Sequence, residues 1–137
     1  ILSFIISACG AYPVKRGAGD REALKTASNR LIEGWATGVF LDGTRQDNGR
    51  VNDPKAGAAL LSARTGCPIL PVAIVNSHRA FPKGSFFPRF VSIHLKVGEL
   101  IQPPSTRKRE DLKATTNKIQ FVINTMLDDG LIKKFSN

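Results

Sequence analysis

Cysteine, tyrosine and tryptophan are scarce in this chain, and each scarcity argues against a class of function. Only two cysteines, Cys9 and Cys67, occur in 137 residues, far apart and without a CxxC pair or clustered histidines. A disulfide framework or zinc site is therefore not expected, and free thiols in a reducing compartment are the plain reading. One Tyr and one Trp are too few for a module that stacks nucleic-acid bases on exposed rings. No apolar run approaches the roughly 20 residues of a membrane-spanning helix. The opening "ILSFIISACGAY" (1–12) is apolar but short, and it lacks the basic leader of a signal peptide. The first residue is Ile, so a fragment or a processed product is expected.

Positive charge is what the chain has in excess. Twenty Lys and Arg stand against eleven Asp and Glu, a net +9. The excess is uneven: residues 1–78 carry +3 and residues 79–137 carry +6. Such a surplus suits an anionic partner, whether nucleic acid, an anionic membrane surface or a phosphorylated substrate, or is simply a soluble basic surface. An apolar fraction of 42% with 23% charged residues is ordinary for one globular domain of this length. The whole of 1–137 is thus expected to be a single domain.

Strand-like and helix-like segments alternate along the middle of the chain. "AYPV" (11–14) reads as a short strand. Asp20 reads as the N-cap of a helix in which Leu24, Ala27, Leu31, Ile32 and Trp35 recur at helical spacing, with Trp35 in the core. "VFL" (39–41) is a second strand, and Asp53-Pro54 has the form of an N-cap followed by Pro at the first helical position. That helix is expected to stop at Gly66. "ILPVAIV" (69–75) reads as a central parallel strand, apolar on both faces. In "FVSIHLKVGEL" (90–100), Val91, Ile93, Leu95 and Val97 alternate with Ser92, His94 and Lys96, a strand with one wetter face. Leu112, Ile119, Val122, Ile123 and Met126 then trace one face of a closing helix.

The order β-α-β-α-β implies an α/β fold, a mostly parallel central sheet flanked by helices. In such sheets ligands gather beyond the carboxyl ends of the strands. Lys15, Arg16 and Gly17 stand there after the first strand, Asp42, Gly43, Thr44 and Arg45 after the second, and Asn76, Ser77 and His78 after the third. Guanidinium groups beside turn glycines suit a phosphate monoester. The alternative is that Arg16 and Arg45 pair with Asp20 and Asp42 and cap the strands.

"FLDGTR" also invites a phosphatase with an aspartyl nucleophile, but the nucleophile's position is Phe40, which cannot attack phosphorus. Asp42, Asp47 and Asp53 lack the glycine and closing glutamate of a calcium loop, and "GAGD" (17–20) lacks the third glycine of a dinucleotide fingerprint. No metal site is expected.

Three blocks in order resemble the glycerolipid acyltransferase family, whose typical members are 1-acylglycerol-3-phosphate acyltransferases. "GAYPVKRG" (10–17) resembles the second block of the family, "VFLDGTR" (39–45) its third, usually Phe-Pro-Glu-Gly-Thr-Arg, and "CPILPVAIV" (67–75) its fourth. Lys55 and Gly57 fit the wording between them. The resemblance implies a glycerol-phosphate acyltransferase-like fold, incomplete at its N-terminus. It implies that Lys15, Arg16, Asp42, Gly43, Thr44 and Arg45 bind the acceptor's phosphate, Asp42 orienting Arg45 or the loop. Leu70, Pro71 and Val72 would border the acyl chain. No cofactor is implied; the donor is acyl-CoA or acyl carrier protein, and the acceptor is lysophosphatidate, converted to phosphatidate. The implied location is a membrane surface on the cytoplasmic side.

Two departures stand out. Leu41 and Asp42 replace the usual Pro and Glu, and no His-x4-Asp precedes Gly10. In the family that block supplies the histidine general base. His78 and His94 are the only histidines and are read as a solvated loop residue and a strand residue. The expectation is therefore an enzyme truncated before its catalytic block; a silent lipid-phosphate-binding relative and a basic nucleic-acid module are the rivals. Phe81, Phe86, Phe87 and Phe90, interleaved with Lys83 and Arg89, have two open readings: contact with a membrane interface or acyl chain, or packing under a long loop.

Overall fold

In the computed structural model, residues 21–44, 46–80, 82 and 84–132 are described, with side chains to 129. The chain divides into two compact units, Ile1–Thr37 and Gly38–Asn137. The expected strand at 11–14 and the Asp20 cap lie outside the described residues.

Helix α1, Arg21–Ile32, is the described part of the first unit. Ala23, Leu24, Ala27, Ser28 and Leu31 form its less exposed stripe, with Ala27 buried. Its end has two linked bonds: the Gly34 N–H reaches the Leu31 carbonyl at 3.1 Å and the Trp35 N–H the Arg30 carbonyl at 2.9 Å. That pattern needs a left-handed residue, and Gly34 supplies it with φ 88°. The same turn carries Trp35 back over Arg30, whose guanidinium lies 5.8 Å from the ring. Trp35 is 62% exposed and Ile32, at the helix end, 73%. The expectation of a core tryptophan is corrected: helical spacing stops applying once the chain has turned out of the helix.

In the second unit, helix α2 spans Gly57–Thr65, strand β1 Val72–Val75, the single turn α3 Ser77–Ala80, strand β2 His94–Val97 and helix α4 Arg109–Ile132. Helix α2 stops at Gly66 as expected, in a left-handed conformation with φ 71° and its N–H on the Ser62 carbonyl. It starts later than Asp53-Pro54 suggests. Residues 52–55 are bound to 41–42 instead: the Lys55 N–H donates to the Leu41 carbonyl at 2.8 Å. Ala56 then precedes the helix without a capping side chain.

Among the described residues the sheet has two strands. Strand β1 pairs antiparallel with β2, Val72 opposite Val97 and Ile74 opposite Leu95, and no parallel pair occurs among the described residues. Residues 39–41 join no ladder among the described residues, and Phe40 is 84% exposed. Periodicity cannot separate a short strand from an apolar loop anchor, and this run is the latter. Leu41 alone turns inward, at 8% exposure.

Burial on β2 also differs from expectation: His94, Leu95 and Val97 are exposed and Lys96 is half-buried. Ala73 and Val75 pack on Leu127, Ile123 and Met126 of α4. Their cross-strand partners Lys96 and His94 must share that face. Leu95 and Val97 therefore stand outward with Val72 and Ile74, at 67% and 64% exposure. Pairing parity, set by β1, overrides the alternation of β2 read alone.

Beyond the strands the register shifts. Ile69 bridges Ile101, whereas Val72 faces Val97, so the 97–101 arm carries one extra residue, a bulge. Gly98 sits in it and donates its N–H to the Pro71 carbonyl at 2.9 Å. A Cβ there would stand 3.2 Å from Pro71 Cγ and 3.3 Å from Met126 Sδ.

Helix α4 carries two working faces. Ile119 joins Leu41 and Ile101 in one cluster, and Leu127 joins Ala73 and Val75 in the other. One position further round, Gln120, Asn124 and Asp128 repeat every fourth residue and so line one flank. Asn124 brackets Val51, accepting its N–H and donating to its carbonyl, each at 3.0 Å; Gln120 donates to the same carbonyl at 2.9 Å. Asp128 pairs with Arg50.

Two substitutions test this packing by urea denaturation of the chain. Gly98→Val is expected to lower stability by about 1–3 kcal/mol through overpacking, with Gly98→Ala much milder. Asn124→Ala is expected to cost about 1–3 kcal/mol by stripping the Val51 N–H of its acceptor. Asn124→Asp keeps that acceptor and should recover part of the loss.

Candidate functional site

The loop from Gly38 to Asp53 contains the described candidates for holding the acceptor's phosphate, Asp42, Gly43 and Thr44, and its shape follows from a few bonds. Leu41 is its apolar anchor, packed with Ile101 and Ile119. The Gly43 N–H closes a tight turn onto the Phe40 carbonyl at 3.2 Å, with Gly43 at φ 64°. A side chain in that left-handed conformation would be strained, so glycine is the fitting residue. Gly43 and Thr44 are thereby held at the surface.

Asp42 sits between anchor and turn, and its carboxylate faces back into the loop. Its Oδ2 accepts the Asn52 N–H at 3.1 Å and its Oδ1 the Asp53 N–H at 3.2 Å. Both carboxylate oxygens are thus engaged with the loop's own backbone. A carboxylate bridging consecutive backbone N–H groups ties two chain segments at one point. Around it, the Asn52 amide donates to Gln46 Oε1 at 3.1 Å and Asn48 Oδ1 at 3.0 Å, and Asn48 Oδ1 also accepts the Arg50 N–H at 3.0 Å. Asp53 and Lys55 pair at 2.5 Å on the exposed rim; such a pair adds little stability.

Lys15, Arg16 and Arg45 lie outside the described residues. The acyl-chain candidates are split by the strand they precede. Pro71 is fully buried against the bulge, whereas Leu70 and Val72 are 51% and 40% exposed on the outward side. His78 packs against the loop: any side chain at Gly49, itself at φ 68°, would collide with its imidazole ring. His94 is exposed on β2, paired with Val75.

A small cavity of about 50 Å³ lies beside this contact, lined by Gly49, Arg50, Asn76, His78, Leu127 and Asp128 among others. Asn76 is buried with φ 68°, its amide donating to the Ser92 carbonyl at 3.2 Å. Its Oδ1 is buried with no donor among the described residues. No three His, Cys, Asp or Glu side chains gather to hold a metal ion among the described residues, and no described helix is long and apolar enough to cross a membrane.

Sequence reasoning misses Gln46, Asn48 and Asn52, and the flank of α4 that grips Val51. The four-residue spacing of Gln120, Asn124 and Asp128 is a usable signal. Nothing in the sequence marks Asn52, because its role arises only when the loop closes.

Known proteins match both the sequence and the fold. The chloroplastic 1-acyl-sn-glycerol-3-phosphate acyltransferase BAT2 of Brassica napus is 27% identical over 90% of this chain and 36% of its own length. A 1-acyl-sn-glycerol-3-phosphate acyltransferase of Borreliella burgdorferi is 35% identical over 52% of this chain and 28% of its own. The chain thus spans about a third of the length of these curated relatives. The crystal structure of PlsC, the 1-acyl-sn-glycerophosphate acyltransferase of Thermotoga maritima, superposes with a TM-score of 0.68. The sequences are 28% identical, and the match covers 78% of this chain and 43% of that one. The model of the Acyltransferase family matches residues 1–75, the region that holds all three blocks, and the chain belongs to that family.

Proposed function

We propose that this chain supplies the acceptor-holding part of a 1-acylglycerol-3-phosphate acyltransferase. Such an enzyme moves an acyl chain from a thioester, acyl-CoA or acyl carrier protein, to the free hydroxyl of lysophosphatidate and yields phosphatidate. The observation that carries the reading is the 41–44 turn. Leu41 is buried, Asp42 is locked to the backbone of 52–53, and Gly43 and Thr44 stand at the surface.

In this reading Arg45 holds the acceptor's phosphate, next to Thr44 in the chain. Bidentate guanidinium–phosphate pairing suits the role, and each charge-assisted hydrogen bond contributes about 1.5–3 kcal/mol. The Gly43 N–H is already used by the turn, so glycine's part is to shape the loop. Asp42 acts through the backbone, as a positioning residue. Arg16 and Lys15 keep the acceptor-binding role that their block implies. The outward side chains of Leu70 and Val72 are the members of the acyl-contact set with free surface to offer. The hydroxyl's general base is the histidine of a His-x4-Asp block, which these 137 residues do not contain. The membrane is the setting, because donor and acceptor chains are both lipid.

Steady-state acyl transfer by the intact enzyme tests the assignment. Arg45→Ala is expected to raise KM for lysophosphatidate about tenfold or more, with Arg45→Lys intermediate; an unchanged KM would remove Arg45 from the site. Asp42→Asn should lower thermal stability and raise KM together, since the loop loosens. The 137 residues alone are expected to bind lysophosphatidate in calorimetry without transferring an acyl chain. Turnover by this chain alone would overturn the placement of the base.

A further inference from the structure

Residues 54–98 contain Lys55, Arg64, Arg79, Lys83, Arg89 and Lys96 but no Asp or Glu at all. Within this acid-free stretch the chain bares three phenylalanines: Phe86, Phe87 and Phe90 are 93%, 81% and 107% exposed. One exposed apolar residue needs no explanation, but three large rings within five positions do. Phenylalanine has no polar tip to satisfy in water, unlike Tyr or Trp.

The loop that carries them is bonded to itself. The Arg89 N–H reaches the Ala80 carbonyl at 2.6 Å and closes its base. The Ser85 N–H reaches the Pro82 carbonyl at 3.1 Å across a turn in which Gly84 has φ 82°. The Ser85 hydroxyl donates to the Phe87 carbonyl at 2.8 Å. These three bonds tie the loop to itself while the rings stay in solvent. Exposed Arg79 and Arg89 flank the base. The chain then enters a shallow, open cleft of about 380 Å³ along Phe90, Val91, Ser92 and Ile93.

We propose that this loop is the surface through which the protein enters an anionic bilayer. Phe86, Phe87 and Phe90 lie at the boundary of headgroups and acyl chains, and Arg79 and Arg89 meet the lipid phosphates. The inference deepens the acyltransferase reading and rests on it for the nature of the partner, since an acceptor dissolved in a bilayer must be met there. An acidic carrier protein would match the charge equally well. It offers no hydrocarbon for three bare rings, and the rings decide for the bilayer.

Flotation of the 137-residue chain with phosphatidylcholine vesicles containing about 30 mol% phosphatidylglycerol, in about 0.1 M salt, tests this. Changing Phe86→Ser, Phe87→Ser and Phe90→Ser together should lower partitioning about tenfold or more, with circular dichroism and thermal midpoint unchanged. Arg79→Gln with Arg89→Gln should lower binding to the anionic vesicles about tenfold and leave binding to pure phosphatidylcholine unaltered. In a Trp35→Phe background, Phe87→Trp should report a fluorescence quenched by brominated acyl chains. The proposal is overturned if the serine variant floats like the parent, if the indole at position 87 is not quenched, or if the chain binds an acidic carrier protein but no vesicle. Neither lysophosphatidate nor a thioester enters these assays. Their failure therefore leaves the acyl-transfer proposal standing, and a loss of acyl transfer leaves this one standing.

Discussion

The second unit depends on one side chain, Ile123, which packs against both apolar clusters. On one side it meets the group around Leu41, Ile101 and Ile119, and on the other the group around Ala73, Val75 and Leu127. Each cluster is small, and neither is a full domain core. Helix α4 makes them one body by running beneath both, so that a single rigid rod sets the distance between the 41–53 loop and the sheet. The next residue, Asn124, binds the backbone of Val51, and the candidate site is thereby referenced to the same rod.

That arrangement separates position from orientation within the loop. Apolar burial at Leu41 and amide bonds at Val51 fix where the loop is. The Asp42 carboxylate, by gathering the N–H groups of residues 52 and 53, fixes which way the turn faces. Surface exposure of Gly43 and Thr44 is then a result of bonds made by their neighbours. A shorter acid suits this point, because the aspartate reaches adjacent backbone directly. A longer side chain would have to fold back to do the same.

The sequence makes some of this legible and hides the rest for physical reasons. Helix α4 and the Gly66 stop are readable because helical period and a left-handed glycine are local properties. The family is readable because three short blocks fall in order within residues 1–75. Strand direction is not, because Val72–Val75 looks alike in a parallel or an antiparallel ladder, and only its partner decides. Nor is the outward face of Leu95 and Val97, which is fixed by Ala73 and Val75 across the ladder. Trp35 escapes for a similar reason: a two-bond helix end at Gly34 redirects the residue that follows it.

The contact between Gly49 and His78 links two distant positions in a way the rest of the loop does not. Glycine at 49 is required twice, by its left-handed backbone and by the imidazole lying where a side chain would be. The two positions therefore form a conditional pair. With the imidazole where it stands, a side chain at position 49 would have to displace it. Such a pairing turns a steric detail into a condition on what the loop can carry at position 49.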